Sequence, residues 1–328
     1  MDSLQTVNLT KDYTLKTGFL KQLTGRAGVI SAVKDVSLSI GLGEVVGLVG
    51  ESGCGKTTLG KMLVRIEQPT SGMVFVAGQE VSRHRGRKLK DFRKSVQMIF
   101  QDPYDSLNPK QTVYEIIAEP LKNLDLVGGS GEALALVLEM LRKVEMQPAE
   151  EYLRRYPHQL SGGQRQRVAI ARALIVNPQI MIADEPVSML DVSIRAGILN
   201  LLKNLNQENG ISILLITHDL ATARFLCDRI VVMYLGKIME IGDSETLIAA
   251  PLHPYSRLLV SSAPDLFAEN VNRAVIQGDA TNAAHPPSGC RFSLRCPDVM
   301  PVCRRKEPAL LPGTEGTLVA CHLVHPES

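Results

Sequence analysis

The chain contains no tryptophan, and aromatic residues make up only 4% of its 328 positions. Its hydrophobic fraction is nevertheless 45%, so any core has to be built from aliphatic side chains. It also lacks an apolar run approaching the roughly 18–20 residues that cross a bilayer. The N-terminal "MDSLQTVNLTKDY" has neither an apolar h-region nor a cleavage site, which excludes a signal peptide. Charge of one sign is missing too: 36 Lys and Arg face 34 Asp and Glu, a net charge of +2. That balance argues against nucleic acid as the main partner. Six cysteines are present, but four crowd into residues 290–321, so they are not a disulfide framework for the whole chain. These absences predict a cytosolic protein whose contact with a membrane, if any, runs through a partner. The length suggests about two domains. The longest basic run, "SRHRGRKLKDFRK" (82–94), suits a solvated helix and loop surface or an anionic, lipid-proximal contact.

What is there is periodic. "AVKDVSLSI" (32–40) alternates as a half-buried strand, and "GEVVGLVG" (43–50) is a nearly continuous apolar run ending at glycine, as in a parallel strand buried on both faces. "QIMIAD" (179–184), "ISILLIT" (211–217) and "RIVVMYLG" (229–236) repeat that pattern, with helical spacing between them, for example in "SIRAGILNLLKNLNQ" (193–207). The order is α/β. From about 103 to 160 there is helical spacing and no strand run, which predicts a helical subdomain inserted between two parts of the sheet. Beyond about 245 the chain turns rich in Pro, Ser and Cys. "APLHPYSRLLVSSAPD" reads as a short helix between prolines, and 264–328 as mostly turn and loop.

"GESGCGKTT" (50–58) fits G-x-x-x-x-G-K-[ST] between a buried strand and the helical "LGKMLVR", the context a phosphate-binding loop requires. Gly50, Gly53 and Gly55 let backbone N–H groups close around phosphate oxygens. Lys56 supplies a point charge to the β and γ phosphates, Thr57 a hydroxyl to Mg²⁺, and Thr58 a further donor. "IMIADEPVSMLD" (180–191) ends a buried strand with two carboxylates, at the sheet edge where open α/β sheets bind nucleotides. Asp184 there suits Mg²⁺ and Glu185 an attacking water; alone, the pair would read as a solvated strand end. His218 in "LLITHDL" is either a contact to the γ-phosphate or a satisfied strand-end histidine. Gln101 in "QMIFQDP" offers a neutral amide to Mg²⁺ or water.

With "LSGGQRQR" (160–167), these motifs in this order resemble the ATP-binding subunit of ABC transporters over residues 1 to about 245. The resemblance implies a P-loop NTPase (RecA-like) core, an inserted helical subdomain at about 103–165, and a small Cys-rich C-terminal extension over 246–328. It implies ATP, with Mg²⁺, held between two subunits packed head to tail, Ser161, Gly162, Gly163 and Gln164 of one capping the nucleotide of the other at a helix N-terminus. On the same grounds Tyr13 stacks on adenine, Ser52 and Cys54 join the phosphate loop, and Asp191 ends a loop linking the two sites. Met189 stands where the family pattern has alanine, and Gly197 where it has a helix former.

"FQDPYDSLNPKQTVYEIIAEPL", "RRYPHQLSGGQRQRVAIARAL" and "PLHPYSRLLVSSAP" are similar to peptide permeases of the oligopeptide/dipeptide/nickel group, and "DEPVSMLD" to the second ATPase of such pairs. This implies an importer ATPase at the cytoplasmic face of the membrane. Its partners would be a second, homologous ATPase, two transmembrane permease subunits and an extracytoplasmic substrate-binding protein, with no nucleic acid. A soluble ABC ATPase acting on ribosomes or DNA, and an efflux ATPase, are the rival readings; the first usually has two cassettes or a coiled-coil insertion, absent here. Cys290, Cys296, Cys303 and Cys321 stand at C-x5-C-x6-C-x17-C, looser than a zinc knuckle, and leave open a [4Fe–4S] cluster, a Zn²⁺ ion, or free thiols and disulfides. The family tail, some of whose members carry such a cluster, favours iron–sulfur, with His322 and His285 as reserve ligands.

Overall fold

A computed structural model describes residues 2–14, 29–262 and 286–326. Its strands are, in chain order, β1 (Asp2–Thr14), β2 (Val29–Gly41), β3 (Val45–Val49), β4 (Ser71–Val76), β5 (Gln79–Glu80), β6 (Val96–Ile99), β7 (Ile180–Asp184), β8 (Ser212–Thr217), β9 (Arg229–Tyr234), β10 (Lys237–Asp243), β11 (Leu311–Pro312) and β12 (Leu318–Val319). The chain divides into two compact units, one of Met1–Ser3, Ile40–Glu44 and Arg83–Leu214, the other of Leu4–Ser39, Val45–Ser82 and Leu215–Ser328.

In the first unit β6 and β7 run parallel, with Val96 opposite Ile180 and Ile99 opposite Ala183. β7 is buried along its whole length, which is why its sequence shows no alternation. Between these two strands the described chain forms the helices Pro103–Ser106, Val113–Asn123, Ser130–Lys143, Ala149–Tyr152 and Gly162–Leu174. Helix Val113–Asn123 starts at a capping box: the N–H of Glu115 donates to Thr112 Oγ1 at 3.3 Å, and the N–H of Thr112 donates to Glu115 Oε2 at 2.7 Å, satisfying two otherwise orphaned donors. Ile116, Ile117 and Leu121 on it, and Ala133, Val137 and Leu141 on Ser130–Lys143, are buried. Helix Val192–Asn209 buries Ile198, Leu201, Leu202 and Leu205 and stops at Gly210 in the left-handed region, a common helix terminator. Gly197 lies under Arg167, whose Nη2 is 3.4 Å from the place a Cβ would take.

In the second unit β1 pairs antiparallel with β4, and β4 with β5. β3 pairs parallel with β9 from Val46–Arg229 to Val49–Val232. β9 and β10 form a hairpin with Tyr234 opposite Lys237; the two turn residues, Leu235 and Gly236, both have positive φ, the conformation that matches strand twist in a two-residue hairpin. The tail read from sequence as mostly turn and loop also carries ladder: β12 pairs with β10 and with β11, antiparallel in both cases. Two-residue strands leave no periodic signal, so only the partner strand reveals them. Among the described residues no helix is long and apolar enough to cross a membrane.

Candidate phosphate site and carboxylate site

β3 delivers the chain into the loop 50–55, and helix Lys56–Leu63 leaves it. Two glycines there are enforced by close approach. A Cβ on Gly50 would lie 2.1 Å from Met233 O, and one on Gly55, at φ +105°, 2.2 Å from Ala32 O. A Cβ on Gly53, at φ +78°, would meet nothing within 4 Å, so its side is open. Lys56 is 5% exposed and its ammonium donates to Gly50 O at 2.7 Å and Glu51 O at 2.9 Å. The loop is thus wound around a buried positive charge. Ser52 is exposed, and Thr57 and Thr58 are half-buried in the first helical turn. Cys54 is buried, and burial raises its thiol pKa, which suits a small filler of the loop better than a reactive thiol.

Elsewhere in the same unit, Tyr13 is exposed on β1 with Lys11 Nζ 5.0 Å from its ring centroid. His218 is exposed just beyond β8. The neighbouring Asp219 caps helix Leu220–Leu226 by accepting from the N–H of Ala221 at 2.9 Å and from Thr222 Oγ1 at 2.6 Å.

The first unit holds the carboxylates. Asp184, the last residue of β7, is 1% exposed. Glu185 follows with φ 44°, a left-handed conformation that a non-glycine residue adopts at a cost of about 1–3 kcal/mol and that clusters at functional sites. Ser188 holds it there, its N–H and its Oγ donating to Glu185 O at 3.2 Å and 3.0 Å. Because Ile99 lies opposite Ala183 in the parallel register, Gln101 arrives beside Glu185, and its Nε2 donates to Glu185 Oε2 at 3.2 Å. Residues 84 positions apart are joined by strand register.

Ser161 is the N-cap of helix Gly162–Leu174, its Oγ accepting from the N–H of Gln164 at 3.3 Å while the N–H of Ser161 donates to Gln164 Oε1 at 3.0 Å. Glycine was expected here to admit a phosphate, and the structure adds a second cause: a Cβ on Gly163 would lie 2.6 Å from Ile194 Cγ2. Asp191 is an exposed N-cap of helix Val192–Asn209 without a side-chain cap bond, and Met189 and Val192 beside it are exposed at 61% and 78%.

The tail cysteines are gathered but not closed into a ligand set. All are free thiols; Cys290, Cys303 and Cys321 are buried and Cys296 half-buried. Burial pushes the Cys290 thiol up to about 12 and the Cys296 thiol up to about 11, and raises that of Cys321. Backbone N–H groups oppose this, from Phe292 to Cys290, from Asp298 to Cys296, and from Leu323 and Val324 to Cys321. Among the described residues no group of three or more His, Cys, Asp or Glu is disposed to hold a metal ion. The tetrad expected from spacing is therefore not preformed: Cys290 and Cys321 sit in separate turns, closed by Ser293 N to Cys290 O and Val324 N to Cys321 O. His322 Nε2 lies 3.0 Å from Lys306 O, and His285 falls outside the described residues. Glu51, Tyr255 and Arg295 are brought together by the structure alone, with no local sequence signal for the contact.

Residues 33–188 match the family model described as ABC transporter, and residues 239–303 that described as oligopeptide/dipeptide transporter, C-terminal region. The chain is 44% identical over 324 residues to a probable peptide ABC transporter ATP-binding protein of Sinorhizobium fredii, covering 98% of this chain and 90% of that one. It is 46% identical over 302 residues to a putative oligopeptide transport ATP-binding protein of Bacillus subtilis, covering 91% of each. Among solved structures, it is similar to a dimeric ATP-binding cassette in a post-hydrolysis state bound to ADP and Pi, with a TM-score of 0.64 and 34% identity over 74% of this chain and 98% of that one.

Proposed function

From a chain that belongs to the ABC transporter family, as one of its oligopeptide/dipeptide-type ATP-binding subunits, we propose the following division of labour among its residues. The chain is an ATPase that powers peptide import. Gly50, Ser52, Gly53, Cys54 and Gly55 form the cradle for the ATP phosphates, Lys56 neutralises the β and γ phosphates, and Thr58 adds a hydroxyl. Mg²⁺ supplies charge neutralisation between the phosphates, and Thr57, Asp184 and Gln101 are the residues that would hold it. Glu185 accepts the proton of the attacking water, with Gln101 and His218 orienting it. Tyr13 stacks on adenine. Ser161, Gly162, Gly163 and Gln164 cap the nucleotide of a partner ATPase, and Asp191 joins the two sites. Transfer is then mostly positioning and electrostatic stabilisation. The observation that carries the reading is the loop 50–55 wound around the buried Lys56 ammonium, an anion cradle with its charge already in place.

The helices between β6 and β7 form the inserted subdomain of 103–165 that receives the permease subunits, and 246–328 is the C-terminal extension of the ATP-binding region 1–245. The complex comprises a second ATPase, two permease subunits and an extracytoplasmic binding protein, with this chain peripheral at the cytoplasmic face. Affinity purification of the chain from detergent-solubilised membranes is expected to bring down two permease subunits and a second ATPase, with ATP hydrolysis stimulated by peptide-loaded binding protein. Recovery with ribosomes, and without any membrane subunit, would overturn the import reading.

For the tail, the N–H groups aimed at three sulfurs support a thiolate site, since such donors stabilise cluster thiolates. Cys290, Cys296, Cys303 and Cys321 would close around a [4Fe–4S] cluster, with Zn²⁺ as the alternative; no step of hydrolysis is routed through either. Protein purified anaerobically is expected to absorb near about 400 nm, where thiolate-bound iron clusters do. Colourless protein with stoichiometric zinc selects the alternative, and metal-free protein removes the site.

A further inference from the structure

Glu51, the second residue of the phosphate loop, is held at its N–H and its carboxylate by two residues from the C-terminal part of the chain. Its N–H donates to Tyr255 Oη at 3.0 Å across 204 positions of sequence. Its carboxylate accepts from Arg295 Nη1 at 2.7 Å and Nη2 at 3.0 Å, across 244 positions. Its carbonyl is one of the two that accept from Lys56 Nζ, at 2.9 Å beside Gly50 O at 2.7 Å. Arg295 is in turn fixed by Tyr234, whose Oη lies 3.3 Å from Nη1. The pair is shielded, with side chains 7% and 23% exposed for Arg295 and Glu51, and a two-pronged guanidinium–carboxylate match fixes direction as well as distance.

The backing of this contact is an aromatic cluster in a chain poor in aromatics. Tyr234, Tyr255 and Phe292 are each no more than 1% exposed, with ring centroids 4.7 Å apart for Tyr234–Tyr255 and 5.3 Å for each ring against Phe292. A second thread runs through Arg291, which donates to Leu235 O; the adjoining Gly236 N–H donates to Cys54 O at 2.7 Å. Arg291, Phe292 and Arg295 all lie in the six-residue step from Cys290 to Cys296: Arg295 reaches Glu51 directly, Arg291 bonds to the turn whose Gly236 meets Cys54, and Phe292 packs behind Tyr234 and Tyr255.

A peg that merely pinned the tail down would serve equally well on any buried strand. This one ends on a residue whose carbonyl helps position the Lys56 ammonium. We propose that Arg295 is a positioning residue for ATP binding: through Glu51 it sets the loop conformation and the place of Lys56 Nζ, so that the segment Cys290–Cys296 governs how tightly the triphosphate is held. The proposal rests on the reading of residues 50–58 as the ATP site.

The test uses the full-length chain and titration with a fluorescent ATP analogue (MANT-ATP), alongside thermal melting. Arg295→Gln is expected to weaken binding roughly tenfold, a typical coupling between linked groups, without a matching loss of melting temperature. Arg295→Lys should fall between the two, because an ammonium cannot span both carboxylate oxygens. Glu51→Gln should resemble Arg295→Gln, and the double variant should bind no more weakly than the weaker single, as expected for two partners of one interaction. Unchanged affinity in both singles, a lowered melting temperature with unchanged affinity, or strictly additive losses would each overturn the proposal. If Arg295→Gln does not fold, Glu51→Gln, altered only on the loop side, decides by the same criteria. Wild-type protein that binds MANT-ATP no better than Lys56→Ala would overturn the ATP reading itself, and this proposal with it; normal wild-type binding with an indifferent Arg295→Gln overturns this proposal alone.

Discussion

Glu185→Gln is expected to slow ATP hydrolysis by a factor of about 10²–10⁴, the usual contribution of a positioned general base, while ATP still binds. The substitution removes the carboxylate proposed as proton acceptor and little else. An amide has the same outline, and its oxygen can still accept from Gln101 Nε2, which donates to Glu185 Oε2 at 3.2 Å in the unsubstituted protein. The backbone at φ 44° is held by Ser188 through the Glu185 carbonyl, so the new side chain starts from the same place. A single-turnover assay separates the steps: nucleotide binding should persist while the rate of phosphate release collapses. Because binding outlasts hydrolysis, the variant should also accumulate as an ATP-dependent dimer on size-exclusion chromatography. A variant with the normal single-turnover rate would remove Glu185 from the role of base and leave it as a capping contact for Gln101.

Why strand ends were readable in advance, and tail contacts were not, follows from what each depends on. The runs inside "QIMIAD" and "GEVVGLVG" are unbroken and apolar because β7 and β3 are buried along their length, and a carboxylate or glycine at the end of such a run can only sit at a sheet edge. The helices behaved similarly: "SIRAGILNLLKNLNQ" became Val192–Asn209, and "PKQTVYEIIAEPL" holds most of Val113–Asn123 with its Thr112–Glu115 capping box. The pairing of Gln101 with Glu185 could be foreseen only as two residues of related chemistry, since the register of β6 on β7 is set by packing and not by either strand's own sequence. β1 and the β4–β5 hairpin were not anticipated. Their runs are short or irregular, as at the shift in register between Val7 and Thr10.

The tail was hardest. Four cysteines in a loop-rich stretch invited a metal-centred explanation, whereas in the structure the residues between them do separate work. Phe292 enters an aromatic cluster, and Arg295 grips Glu51 across more than half of the chain. No local pattern encodes such distant pairs. Gly163 illustrates a related limit: its place in "LSGGQ" suggested only a ligand's need for room, yet Ile194 occupies the space a Cβ would take. One glycine can satisfy both a neighbour's packing and a phosphate's approach, and sequence alone does not apportion the two.

Lys56→Ala should weaken ATP binding by at least about 100-fold, close to 2.7 kcal/mol, and abolish hydrolysis. The buried ammonium bonds to Gly50 O and Glu51 O, in a loop where a Cβ on Gly50 or Gly55 would collide with Met233 O or Ala32 O. These bonds hold the charge inside the loop, where, on the proposed assignment, phosphate oxygens of ATP compete for it. Hydrogen bonds to a charged group are worth about 1.5–3 kcal/mol each, and loss of one or two such contacts to the triphosphate accounts for the expected fall. Lys56→Arg should not restore binding, since a planar fork is longer and broader than the space a point charge fills between two carbonyls. Folding should survive Lys56→Ala. Alanine is the strongest helix former at the head of Lys56–Leu63, and removal of a buried charge lifts its desolvation cost even as it frees two carbonyls. Titration with MANT-ATP and a melting curve on the same sample check both halves. Unchanged affinity in a folded Lys56→Ala would mean that this loop, despite its shape, does not grip the triphosphate through its lysine.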